Sequence, residues 1–188
     1  QETGSDGVKV EVTGEDAALV EAMRDAGIPV VAHMGLLPQQ VEPGQGYRAR
    51  ARDADGAIQL MQAARTLENA GAAMLLLEAV AGEVAGEIAS RTELPVIGCV
   101  AGPHCDGTVV VVHDMLGWGG GHRPSRVKQY ADLAQVFGEA FGTYVQDIQA
   151  ERFPRKSDAI LMKPGEYEKL TSALKAAASG RTPGAGGG

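Results

Sequence analysis

Polar side chains in this chain gather at the ends of short apolar runs. Ile28 to His33, Gly71 to Glu78 and Leu94 to Val100 are each mostly apolar, each entered through Gly or Pro, and two of them close on a titratable residue. Runs of four to eight apolar residues bounded by turn residues read as buried strands, and a stretch with helical spacing precedes each one. Val8-Lys-Val-Glu-Val-Thr13 is different, because it alternates: three valines fall on one face, Lys9 and Glu11 on the other. Alternating helix and buried strand, with polar residues arriving as each strand ends, predicts an α/β fold. The form is a (β/α) sheet or barrel with its site at the strand C-termini.

The remaining pattern fills in the helices. Thr13-Gly-Glu-Asp16 offers caps to a helix reaching about Asp25, with Ala18, Leu19, Ala22 and Met23 at helical spacing. Asp53 to Ala70 is amphipathic, Ile58, Met61, Ala64 and Leu67 forming one stripe with Arg65 and Glu68 outside it. A short helix is expected over 83–91, and Thr108 to Val112 is the most strongly β-branched run in the chain, hence a strand. A long helix is expected from Pro124 to about Glu151 and a last one from Lys163-Pro164 to Ala178. Between them, Leu37 to Arg52 is a long connection rich in Gly, Pro and Arg, of a length that often carries function, here as a lid. The domain reading is one partial barrel over 1–178, followed by a Gly-rich disordered tail over 179–188.

Charge narrows the partners. The net charge is -7, and the lysines and arginines are scattered, which points away from nucleic acid and anionic membrane and toward a small molecule or another protein chain. Cys99 and Cys105 are six apart, without zinc-ligand spacing, and read as free thiols in a reducing compartment. No apolar run approaches the roughly 18 residues that span a bilayer. The opening residues carry no leader and enter a strand at once, so the chain is expected to be a cytoplasmic fragment, or mitochondrial if a targeting segment lies upstream.

Four residues stand out as candidates. A lysine and a glutamate side by side in a lumen are costly unless paired or used, and a structural ion pair or a wet edge strand is the plain alternative. Glu78 ends its apolar run, where burial would strengthen it as a base, and His33 ends another. His104, His113 and His122 read as structural or surface residues.

The ordered set resembles a known family. Val8-Lys-Val-Glu11, Gly27-Ile-Pro-Val-Val-Ala-His33-Met-Gly-Leu36, Leu75-Leu-Leu-Glu78-Ala-Val80, Leu94-Pro-Val-Ile-Gly98, Cys105-Asp-Gly107, His113-Asp114-Met-Leu-Gly117 and Val127-Lys-Gln-Tyr-Ala-Asp132 are similar, in order and spacing, to ketopantoate hydroxymethyltransferases over residues 8–160. The resemblance implies a (β/α)8 TIM barrel of the phosphoenolpyruvate mutase type, present here as about its last five β/α units, in a homo-oligomer. It also implies Mg²⁺-dependent hydroxymethyl transfer from 5,10-methylenetetrahydrofolate to a 2-oxo acid, 3-methyl-2-oxobutanoate. By position, Lys9 would contact the keto acid, Glu11 would belong to the magnesium site, Glu78 would be the general base and His33 would lie near the substrate. The family's other magnesium ligands are two aspartates on earlier strands. The chain departs from the family at Val12-Thr13 and Val100, where the family has glycine, and at Leu37 and Gln40, where it has hydroxyl residues. Other readings are a catalytically inactive homologue or structural subunit that binds a 2-oxo acid, and a lyase of the same superfamily.

Overall fold

The computed structural model describes residues 3–42, 46–119 and 125–179, and the chain divides into two compact units, residues 1–134 and 135–188. The first holds a five-stranded sheet: β1 (Val8–Glu11), β2 (Val30–Gly35), β3 (Met74–Glu78), β4 (Val96–Cys99) and β5 (Gly107–Val109). Every pairing is parallel and the strands lie in chain order. A doubly wound sheet would reverse its order partway, whereas a barrel keeps winding in one direction. The fold is therefore α/β, an arc of five strands in (β/α)-barrel order.

Helices return the chain between the first four strands: α1 (Ala17–Asp25), α2 (Ala54–Asn69) and α3 (Gly82–Ala89). Local signals set their ends. Thr13 and Asp16 form a reciprocal capping box on a short 3-10 turn that leads into α1, and the Asp53 carboxylate accepts the Gly56 N–H at the start of α2. The β4 to β5 link has no helix; the Asp106 carboxylate accepts the Val96 N–H, and the Asp106 N–H donates to the Val96 carbonyl, bringing the chain back to the start of β4.

Side-chain alternation divides the sheet into two unlike faces. Val30, Ala32, Met34, Leu75, Leu77 and Val96 face the helices and are fully buried, with Val20, Ala64, Leu67, Ala85 and Ile88 packed among them. Of the α2 stripe, Ala64 and Leu67 are buried, whereas Ile58 is exposed. The opposite face carries Lys9 and Glu11 on β1, Val31 and His33 on β2, Met74, Leu76 and Glu78 on β3, and Ile97 and Cys99 on β4.

Two expected elements differ. The strand expected over Thr108 to Val112 ends at Val109, and Val112 already opens α4 (Val112–Leu116). Val109 is in register with Cys99, the last residue of β4, so beyond it the valines have no ladder to join and are exposed. The long helix α5 (Leu133–Gln149) begins nine residues later than expected, because Tyr130 donates its N–H to the Met115 carbonyl and holds that segment against α4. In the second unit α6 (Glu166–Ala178) matches the expected last helix. The α5 stripe of Val136, Phe141, Tyr144 and Val145 is exposed. The Gly-rich tail from residue 180 lies outside the described residues, as does His122.

Candidate active site

All four candidate residues stand on the sheet face away from the helices; Glu11, His33 and Glu78 lie toward the C-terminal ends of their strands, and Lys9 lies two residues before Glu11. Glu11 is in register with His33, Gly35 with Glu78, and Glu78 with Cys99. Neighbouring parallel strands lie about 4.8 Å apart, so register alone brings these groups within reach of one another.

His33 sits between two carboxylates. Its Nε2 is 3.0 Å from Oε2 of Glu78, and its Nδ1 is 3.9 Å from Oε1 of Glu11. The Glu78 oxygen is within range but off the line of a ring N–H and the Glu11 oxygen is too distant, so neither nitrogen has a hydrogen-bond partner of normal geometry. The residue is 1% exposed, and a buried polar atom left unpaired costs about 1–3 kcal/mol. Glu78 and Glu11 remain 23% and 15% exposed, so the carboxylates face the opening while the imidazole lies behind them. His33, expected beside the substrate, is thus buried behind the two carboxylates.

Backbone turns fix these ends. Gly35 has φ +91, and a Cβ there would stand 2.5 Å from the Glu78 carbonyl oxygen and 2.6 Å from Val80 Cγ2. Only glycine allows β2 and β3 to close this tightly. Ala79, directly after Glu78, and Val100, directly after Cys99, are also left-handed at φ +49 and +56. A β-branched residue is a poor occupant of that region.

The long loop after β2 closes on the site through its backbone. Leu36 and Leu37 are buried, Pro38–Gln40 forms a 3-10 turn, and the Gln39 N–H donates to both carboxylate oxygens of Glu11, 3.3 Å each. Further along, Arg50 bridges to Val80 beside β3, while residues 43–45 of this loop lie outside the described residues. Lys9 is exposed and forms no ion pair with Glu11 or any other described carboxylate, so the structural-pair alternative is not what the fold builds.

Cys99 is a site residue that the sequence reading passed over. Burial pushes its thiol up from the usual cysteine range; the Glu78 and Asp114 charges act in the same direction, and Lys9 acts against them. Those influences show charges from β1, β3 and α4 converging on one thiol. The signal was present in sequence, since Cys99 closes its apolar run much as Glu78 closes the run before it.

For Mg²⁺, Glu11 is the expected protein ligand. Among the described residues no group of three or more His, Cys, Asp or Glu is placed to hold a metal, and Glu11 is already engaged by Gln39. Mg²⁺ needs six oxygens in near-octahedral array, so these residues do not by themselves fit the ion.

Residues 1–156 match the ketopantoate hydroxymethyltransferase family. Among curated relatives, a 3-methyl-2-oxobutanoate hydroxymethyltransferase of Halalkalibacterium halodurans is 44% identical over 90% of this chain and 61% of its own length. One from a Thermoanaerobacter species is 40% identical over 88% of this chain and 60% of its own. The chain thus spans about three fifths of the length of these relatives. A crystal structure of a putative phosphonomutase from Burkholderia cenocepacia aligns with TM-score 0.39 and 18% identity, covering 52% of this chain and 43% of the other.

Proposed function

Because this chain belongs to the ketopantoate hydroxymethyltransferase family, we propose that it serves the reaction named in its relatives, transfer of a hydroxymethyl group to 3-methyl-2-oxobutanoate to give 2-dehydropantoate. The one-carbon donor in this reading is 5,10-methylenetetrahydrofolate, the working form is a cytoplasmic homo-oligomer, and Mg²⁺ would need, besides Glu11, oxygen ligands that the described residues do not supply. No helix among the described residues is long and apolar enough to cross a membrane.

The observation that supports the reading is the convergence of Lys9, Glu78 and the buried His33 on one face of the sheet. Lys9, exposed and without a carboxylate partner among the described residues, is suited to receive the carboxylate of a 2-oxo acid. Glu78 then lies where a C–H next to the ketone is presented. The C3–H bond breaks, the proton passes to Glu78, and the electron pair moves into the enolate. Its carbon takes the donor's methylene carbon as both C–N bonds of that carbon break, and water supplies the hydroxyl. The two folate nitrogens take up the remaining proton of the water and the proton held by Glu78. His33 supports Glu78 from behind and keeps water from that side.

The test is exchange of the C3 proton of 3-methyl-2-oxobutanoate in D₂O, followed by NMR, with the full-length protein and its Glu78→Gln variant. Exchange by the parent and loss of at least 100-fold in the variant is the expected result. A folded parent that exchanges nothing overturns the proposal. The second reading, a non-catalytic homologue that binds a 2-oxo acid, then gains from the occupied Glu11 carboxylate and the strained Val100.

A further inference from the structure

A cleft of about 270 Å³ opens where β4 and β5 end, lined among others by Val100, Gly102, Thr108, Arg126, Lys128 and Tyr130. It starts one residue past Cys99, the register partner of Glu78, so it shares the end of the sheet that bears the base. On adjacent strands that places it roughly 5–10 Å away from Glu78 across the sheet.

Its lining carries positive charge and, among the described residues, no carboxylate. The chain carries a net charge of -7, yet two cations two residues apart line this one cleft. Neither Arg126 nor Lys128 takes part in any ion pair among the described residues. Lys128 Nζ lies 4.8 Å from the centre of the Tyr130 ring, a cation–π contact between two residues that both line the cleft. The Tyr130 backbone is anchored to α4 by its N–H to the Met115 carbonyl at 2.7 Å, so the cationic segment has a fixed support. Apolar walls of Val100 and Val109 complete a slot for a slender ligand. A cavity of this size is below the range that encloses a drug-sized molecule, so it suits a tail better than a ring system.

We propose that this cleft is the subsite for the carboxylate-bearing tail of the one-carbon donor, with Arg126 and Lys128 receiving its carboxylates. The inference rests on the reading given under Proposed function and adds to it the place and charge of the second substrate. It requires only a multiply charged carboxylate chain, for which a poly-γ-glutamyl tail is the fitting chemistry. Arg offers a planar fork to one carboxylate and Lys a point charge to the next.

Calorimetric titration of the full-length protein tests it, with folate bearing one glutamate, folate bearing three γ-linked glutamates, and inorganic phosphate as the probes. The triglutamate form is expected to bind about tenfold tighter than the monoglutamate form, as for a charge-assisted contact at a partly exposed site. The Arg126→Gln/Lys128→Gln double variant should bind both forms alike, and Arg126→Lys/Lys128→Arg should restore most of the preference. Equal affinity of the parent for the two forms, or an undiminished preference in the double variant, sinks the proposal. Displacement of the triglutamate by an equal concentration of phosphate also sinks it, since the site would then read any anion. The proton-exchange assay keeps the two ideas apart: an inert parent that still prefers the triglutamate counts against enolisation, while an active parent with no preference counts against this subsite alone.

Discussion

At the scale of single residues, strain and burial make the sharpest statements. Val100 holds φ +56 with a branched side chain, an arrangement costing of order 1–3 kcal/mol. Val100→Gly should raise stability by about 1 kcal/mol, the relief exceeding the entropy that glycine adds to the unfolded chain; an unchanged or lower denaturation midpoint refutes it. Cys99 gives a charge probe. Burial and the Glu78 carboxylate both hold its proton on, so its thiolate forms only above the usual cysteine range, and alkylation by iodoacetamide should be slow at neutral pH and accelerate as pH rises. Glu78→Gln removes one of those influences. Labelling of Cys99 should then quicken at fixed pH, as peptide mass spectrometry would record; an unchanged rate would mean that the two groups do not sense each other. Residue identity told much of this in advance. Lys9, Glu11, His33 and Glu78 were legible because each closes or alternates within an apolar run, but their distances, and the off-line approach to His33, depend on register that no single run encodes.

Elements were legible where local and tertiary demands agreed. The capping box at Thr13 and Asp16 is a case: the Asp16 carboxylate accepts the Thr13 N–H at 2.7 Å, and the turn leads directly into α1. Thr13→Ala should cost about 1 kcal/mol in urea unfolding, and a loss below 0.3 kcal/mol would show the cap to be idle. Where the demands disagreed, pattern misled. Val109 to Val112 has the highest β propensity in the chain, but propensity cannot supply a neighbouring strand, and β4 turns away at Val100. Val127 and Tyr130 continue the spacing of α5 backwards, yet the Tyr130 N–H is committed to Met115 and the helix starts at Leu133.

At the scale of the first unit, the sheet is finished on one face only. The helix side is packed, whereas Val31, Met74, Leu76 and Ile97 on the site face remain partly uncovered, and β1 and β5 each pair on one edge among the described residues. Unpaired edges beside apolar surface favour association. Sedimentation velocity of the 188-residue chain should therefore show average mass rising with concentration, and a monomer at every concentration would contradict the expectation. Pattern along the chain revealed the strand-and-helix alternation, but not the closeness of Arg126 and Lys128 to the end of β4, because that proximity spans more than 20 residues without a repeating signal.

The left-handed residues Gly35, Ala79 and Val100 stop three adjacent strands within one rung of each other. This common stop line makes the site intolerant of length. A single residue inserted between Leu75 and Glu78 would carry the carboxylate to the helix side, because side chains alternate with period two. The same insertion between Gly46 and Ala49 changes only the path of a loop. Divergence in this chain is therefore free to lengthen its connections, while the count of residues from each strand's entry to its turn stays fixed as tightly as any side chain in the site.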